Sequence, residues 1–579
     1  MSRYSGARSP APGFPRVVRP TSNEVAPGPF DREPCRCERA GIGGEARTRG
    51  NWVYERKLNL VTATQTISLN DPNETGVLTR RQLNVVLAGL IMALFLSALD
   101  STIVGTALPT IVGEFQGFSR FTWVTTSYVV TSTIATILLG KLSDLYGRRW
   151  VFLGAITVFL VGSLLCGAAQ SMTQLIIFRS VQGLGGGGIW GLTFAVVGDV
   201  VPARDRGRYF GLFTSVWAVS SIAGPLIGGV IVDNFSWRWI FLVNIPLGLA
   251  ALMVIATVLR LPFERRQVHI DWLGAFLLVL ALSALMVALE EGGKSGWREP
   301  LVISLFAVTL FSTVAFVAQQ GRTPEPILPL RLFRNDIVRS TMILGLIIGT
   351  TMMTSGLFFA LFFQDVRFFS PTRSGLATLP MMAGMFAGST TVGRLISSTG
   401  TYKRFPLIGI PLSMAGLLVS TTIKPSLSYV VIALGMFMIG LGMGCTMPTL
   451  SIASQNSADP RDMGIATSAQ NFFRSLGSSI GLAVYGTVFN SVVRSNLAAR
   501  LPNRDGSGDL LSIIRQPTKI RALPDLERVA VQTSITNGSA RIFLMSAIFT
   551  TVALFFALKL REEPLRETTG LQQRAAMAE

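Results

Sequence analysis

The feature that most constrains this chain is a succession of apolar runs, about fourteen in all, each of bilayer-spanning length. They lie near 83–108, 121–140, 150–169, 174–199, 209–232, 239–259, 272–290, 301–319, 337–363, 375–397, 405–423, 428–448, 463–492 and 542–560. Inside lipid every backbone N–H and C=O must find its partner within the structure, so runs of this length fold as helices. With 49% hydrophobic and 14% charged residues and a mean hydropathy of +0.49, an ordinary soluble domain is excluded. The expected fold class is an all-α membrane protein, with the lipid bilayer as its solvent.

The formal net charge of +19 first suggests a polyanionic partner. The Lys and Arg fall mostly in short segments between the runs and in the tails, so topology explains the charge and no nucleic acid is expected. With the N-terminus inside, short inner loops hold roughly fifteen Lys/Arg, among them Arg148-Arg149, Arg204, Arg206, Arg208, Arg265-Arg266 and Lys403-Arg404, against roughly seven outside. Both termini are therefore expected in the cytoplasm of a multi-pass protein of the cell membrane. Residues 1–80 read as a disordered cytosolic tail without a signal peptide, and 561–579 as a second cytosolic tail. Cys35 and Cys37 lie in the tail, Cys166 and Cys445 in apolar runs, and no disulfide framework or zinc site follows. His269 is the single histidine, expected at the solvated interface, and no metal or cofactor is anticipated.

The chain also repeats itself. Gly140-Lys-Leu-Ser-Asp-Leu-Tyr-Gly147, followed by Arg148-Arg149, has an echo in Gly393-Arg-Leu-Ile-Ser-Ser-Thr-Gly400, followed by Lys403-Arg404. Equivalent placement implies two parallel six-span halves, 81–260 and 337–560, with 261–336 as an inserted two-helix hairpin and 494–541 as an outer loop. Gly183-Leu-Gly-Gly-Gly-Gly188 matches a dinucleotide fingerprint only formally, because it lies within an apolar span and no βαβ unit surrounds it. Glycines that cost about 1 kcal/mol each in a helix make sense where another backbone passes closely.

Gly140 to Arg149 resembles the inner-loop signature of the major facilitator superfamily, and the stretch around Asp100 ending Ala107-Leu108-Pro109 resembles the first-span motif of its fourteen-span drug:proton antiporters. Arg179-Ser-Val-Gln182-Gly183, Gly224-Pro225-Leu-Ile-Gly228-Gly229 and Trp237-Arg-Trp-Ile-Phe241 follow in order, so the resemblance covers about 83–560. It implies the major facilitator fold, with two six-helix bundles plus the inserted hairpin. By resemblance, Gly140, Asp144, Gly147, Arg148 and Arg149 latch the two halves against the inner end of span thirteen. Gly224, Pro225, Gly228 and Gly229 form the antiporter motif, expected to pack against the opposite half and seal the outer side.

Two charges inside the spans need a reason. Asp100 lies in an apolar segment, where an ionised carboxylate costs roughly 2.5–3.5 kcal/mol. Arg179 lies roughly 9 Å and Asp100 roughly 13 Å below the same surface at 1.5 Å per residue, so the two match in depth and form a candidate proton-coupling pair, with snorkelling of Arg179 to head groups as the competing reading. Arg474 is a candidate gating or substrate-facing cation, with a structural ion pair as the competing reading, while Asp199 and Asp365 are expected to be solvated caps.

The expected function is proton-coupled antiport that exports lipophilic or cationic drugs by alternating access, with protons and small molecules as partners and a monomer as the unit. Span ten carries no acidic residue between Gly375 and Ser397, so monovalent or neutral cargo is expected. The alternatives are a dedicated exporter of one metabolite or siderophore, and a non-transporting membrane sensor or scaffold. No enzyme is expected, given the lack of a nucleotide loop, a metal cluster or a nucleophile–base pair.

Overall fold

The computed structural model describes residues 80–115, 121–259, 271–460, 462–500, 520–569 and 572–573. The expectations for residues 1–79, Cys35, Cys37, Arg265, Arg266 and His269 lie outside them. Fourteen long helical segments follow one another, and no strand occurs among the described residues. They are α1 (Arg80–Phe115), α2 (Phe121–Tyr146), α3 (Arg148–Gly167), α4 (Met172–Val200), α5 (Arg206–Asn234) and α6 (Trp239–Val258, stepped at Val243). Then come α7 (Trp272–Ser295), α8 (Pro300–Gln320), α9 (Asp336–Leu361, continued by a π turn Phe362–Val366), α10 (Leu379–Thr399), α11 (Arg404–Ser420), α12 (Tyr429–Ser457), α13 (Met463–Arg500) and α14 (Asp525–Lys559). Eleven of these are long and apolar enough to cross a membrane by length and composition alone. The other three are α11, apolar but of 17 residues, and α4 and α10, whose glycines and hydroxyls dilute the hydropathy.

Local chemistry sets the helix ends. Ser171 caps α4 by accepting the Gln174 N–H, Asn335 caps α9 through the Ile337 and Val338 N–H groups, and Ser428 caps α12. Asp271 caps α7 and also accepts from Gln320 Nε2 of α8 at 2.7 Å, closing the α7–α8 hairpin. Gly147, at φ 89°, makes the break between α2 and α3, and Gly400, at φ 68°, ends α10 in the left-handed region. The last glycine of each repeat copy thus does the same job.

The two halves repeat their packing. The pairs α1·α5, α1·α6, α2·α4, α3·α4 and α3·α6 are matched by α9·α13, α9·α14, α10·α12, α11·α12 and α11·α14. Between the halves, α2 packs on α13 and α5 on α10, which is one contact repeated under the same correspondence, and α7 of the hairpin rests on α2 and α13. The segment read as an outer loop from 494 to 541 is shorter than expected, because α13 continues to Arg500 and α14 begins at Asp525. Its Leu, Ala, Arg and Gln residues are sound helix formers once lipid no longer demands apolarity.

Candidate functional site

Small residues bring α3 and α4 together. A Cβ on Gly162 would lie 2.5 Å from the Gln182 N, and one on Gly185 2.6 Å from the Phe159 Cα. This close approach places Ser163 and Gln182 side by side beneath Asp100 of α1. Arg179 donates through Nη1 to Asp100 Oδ2 at 2.7 Å and to Gln182 Oε1 at 2.7 Å. Gln182 Nε2 and Asn244 Nδ2 both donate to Asp100 Oδ1, at 2.8 and 3.0 Å. Ser163 Oγ accepts from the same two amides and donates to the Phe241 carbonyl. The guanidinium lies 4.2 Å from the centre of the Tyr128 ring, whose hydroxyl meets Ser97 Oγ.

Asp100, Gln182, Asn244 and Ser163 have no exposed surface and Arg179 has 1%. Snorkelling is thereby corrected: Arg179 points inward, because Asp100 offers it a buried counter-charge. Every side-chain partner of the Asp100 carboxylate is a donor, which is the cage that an ionised, acceptor-only group requires. A proton arriving on Asp100 would turn an acceptor into a donor facing donors, so a change of charge there obliges the surrounding side chains to rearrange. Sequence reading brought Asp100, Arg179 and Gln182 forward but missed Asn244, Ser163 and Tyr128. Asn244 left a signal, an amide inside an apolar run immediately before Ile245-Pro246.

At the equivalent place in the second half, between α9, α11, α12 and α14, lies a small cavity lined by Ile347, Thr351, Ser413, Met443, Thr446 and Thr550. The corresponding point therefore carries hydroxyls and methyls where the first half carries an ion pair.

The ends of α2, α4, α10 and α12 that carry the basic loops, here the basic end, hold a second cluster. Arg148 pairs with Asp144 at 2.5 Å and through Nε with Asp199 at 2.7 Å, and it donates to Ser143 Oγ. Gly464, in the first turn of α13, lies against this cluster, and a Cβ there would come 2.5 Å from an Arg148 nitrogen. Gly140 faces Ser468 of α13 just as closely. Asp199, expected to be solvated, is fully buried, because the Arg148 guanidinium reaches it across 51 residues of sequence. Asp365 is buried as well, within the π turn after α9. Arg149 takes no part in the cluster and donates to the Ala256 carbonyl of α6 at 2.5 Å.

Arg206, counted above as a loop charge, is 1% exposed and donates to the Val201 and Gly198 carbonyls and to Gln455 Oε1 of α12 at 2.9 Å. Gln455 in turn donates to the Phe194 carbonyl of α4 and to Thr467 of α13. Backbones meet directly at Gly207 and Gly393, where a Cβ on the first would lie 2.6 Å from the Cα of the second. The segment after α14 lies across this end. Tyr402 donates its N–H to Glu562 and its hydroxyl to the Arg561 carbonyl and accepts from the Glu563 N–H, Asn456 bonds the main chain of Pro564 and Arg566, and Arg204 pairs with Glu567 at 3.2 Å.

One expectation does not meet its residues. Gly224 and Gly228 pack against Thr102, Ile103 and Thr106 of α1 in their own half rather than against the opposite one, and Gly229 faces open space. Four-residue spacing puts the first two on one face, and the Thr102 hydroxyl fixes the crossing by donating to the Ser220 carbonyl at 2.9 Å. Pro225 lies inside α5. Arg474 of α13 is partly covered, forms no salt bridge among the described residues, and donates to Asn471 Oδ1 at 3.4 Å.

Residues 90–482 match the sequence profile of the Major Facilitator Superfamily. The chain belongs to this superfamily. It is 34% identical over 497 residues to "Multidrug resistance protein 3" of Bacillus subtilis, covering 84% of this chain and 97% of that one. It is 34% identical over 502 residues to the "Multidrug transporter protein MdtP" of the same organism, covering 82% and 93%. In fold it resembles the solved proton:xylose symporter XylE, with a TM-score of 0.56 and 13% identity over 86% of this chain and 99% of that one. A major facilitator protein of this kind is a multi-pass membrane transporter for small molecules, not an enzyme.

Proposed function

We propose that this transporter exports lipophilic small molecules by proton-coupled antiport and alternating access, with Asp100 as the site that binds the coupling proton. The observation that carries the reading is the donor-only cage around a fully buried carboxylate. An ionised Asp100 holds Arg179, Gln182 and Asn244 together, and its protonation releases them. Because the cage joins α1, α3, α4 and α6, that release loosens the packing inside one half and biases its rocking against the other. The Arg206–Gln455 bond and the seating of Gly464 of α13 on the Asp144–Arg148–Asp199 cluster hold the basic end shut in this reading, and breaking these two contacts is part of turning the site around.

In this reading the basic end faces the cytoplasm of the plasma or inner membrane, both termini lie there, and the protein works as a monomer. The multidrug names of its relatives support a broad lipophilic cargo. Asp100 and Asp199 are already committed to arginines, so the reading rests on lipophilicity and not on positive charge.

The test is drug-driven proton movement in proteoliposomes. Asp100→Asn should lower it at least tenfold while the protein still inserts and remains monodisperse. Undiminished coupling in that variant would overturn the assignment.

A further inference from the structure

Arg474 and Asn471 hold out donors that nothing in the described protein receives. They are three residues apart on α13 and share a helix face. The guanidinium spends one N–H on Asn471 Oδ1, at 3.4 Å, and makes no salt bridge among the described residues. That bond occupies the amide oxygen and leaves the amide nitrogen, which is buried and without an acceptor. Asn471 as a whole is 6% exposed. Arg474 differs from it in one respect: part of its surface is uncovered.

The location fits a cargo path. Arg474 is eleven residues beyond the start of α13, roughly 16 Å up the helix from the basic end, and so near mid-depth. α13 belongs to the second half but packs on α2 and α4 of the first, along the seam that alternating access must open. The charges of Asp100 and Arg148 are answered within their own bundle. Arginine has five donors and no acceptor, and an amide whose oxygen is already bonded offers only its own N–H pair. A group that only accepts, carries one negative charge and is planar is complementary to both at once, with one oxygen on the guanidinium and the other on the amide nitrogen. A carboxylate has this form.

We propose that Arg474 and Asn471 anchor the acidic group of a lipophilic organic acid, so that carboxylate-bearing compounds are a preferred cargo class of this transporter. The inference rests on the export reading given above and narrows its substrate. It reverses the charge that the sequence suggests for the cargo.

The experiment compares pyrenebutyrate with its neutral methyl ester, first as ligands of the purified full-length protein in nanodiscs and then as cargo in proteoliposomes. The wild type should bind the acid more tightly than the ester. Arg474→Gln should lower affinity for the acid at least tenfold and leave the ester within about twofold. Asn471→Leu should lower it severalfold, and Arg474→Lys should fall between, since a point charge lacks the planar fork. An unchanged acid-to-ester ratio in Arg474→Gln, an equal loss of both ligands, or a wild type that does not bind the acid overturns the proposal. If Arg474→Gln fails to fold, Arg474→Lys and Asn471→Leu decide by the same ratio. The two readings separate in the transport arm. If binding behaves as stated and neither probe moves with a proton gradient, the export reading fails and the anchor stands, whereas gradient-driven export of the ester with no Arg474-dependent binding of the acid removes the anchor alone.

Discussion

Replacing Gly207 with Ala should change which way this transporter faces without weakening either half. The added methyl would lie 2.6 Å from the Gly393 Cα, and α5 and α10 must separate by about 0.8 Å to restore an ordinary contact of 3.4 Å. Overpacking of this kind costs about 1–3 kcal/mol, a population shift of roughly 5- to 150-fold. The penalty exists only while the basic ends touch. Gly207 is the second residue of α5, where Ala is at least as good a helix former as Gly, so each half keeps its own packing and any loss of thermal stability is limited to the contact between the halves. Spin labels at Tyr146→Cys and Ser398→Cys, both exposed positions at this end, report the separation once Cys35, Cys37, Cys166 and Cys445 are removed. The variant should show a longer distance component that the parent lacks. Gly187→Ala is the control, because its methyl would lie 2.6 Å from the carbonyl carbon of Ser132 within the same half, and it should lower the melting temperature without adding that component. An unchanged distance distribution in Gly207→Ala would refute the reasoning.

Two further tests address groups outside the spans. The Trp237 indole N–H at 2.6 Å and the Arg238 guanidinium at 3.0 Å hold the Glu114 carboxyl below the usual carboxylate range. A lowered folded value means that this tie contributes above the ordinary glutamate range and is lost as pH falls through the lowered value, so an acid step in tryptophan fluorescence should appear there and vanish in Glu114→Gln. Burial pushes the Tyr402 hydroxyl up to about 12, so it stays protonated at working pH and both donates to Arg561 and accepts from Glu563. Tyr402→Phe removes both bonds, each worth about 0.5–1.5 kcal/mol, and tryptic cleavage at Arg561 and Arg566 should accelerate several-fold, while an unaltered rate would dismiss the role given to the hydroxyl.

Much of the architecture was legible because lipid imposes one rule on every span. Long apolar runs gave the helices, and the Gly140 and Gly393 copies gave the repeat. Asp100 and Arg179 were legible for the same reason: a charge inside an apolar run is costly enough to stand out. Asp199 and Arg206 were misread because a charge at the end of a helix looks solvated in sequence, and only packing shows that Arg148 and Gln455 reach them. Asn244 was passed over because an amide perturbs hydropathy far less than a carboxylate does. The partner of Gly224 and Gly228 could not be read, since a smooth helix face says that something approaches without saying which helix.

The segment that follows α14 is attached unequally. Four of its main-chain groups bond Tyr402 and Asn456 in the second half, whereas its ion pair to the first half, Arg204 with Glu567, is a solvated surface contact. Surface pairs of that kind contribute about 0–1 kcal/mol, less than several main-chain bonds together. In the proposed alternation, parting of the basic ends would release the segment at Arg204 first and leave it with the second half. It would then act as a flap hinged on one leaf of a door, carrying the residues beyond Glu567 to the rim of that opening.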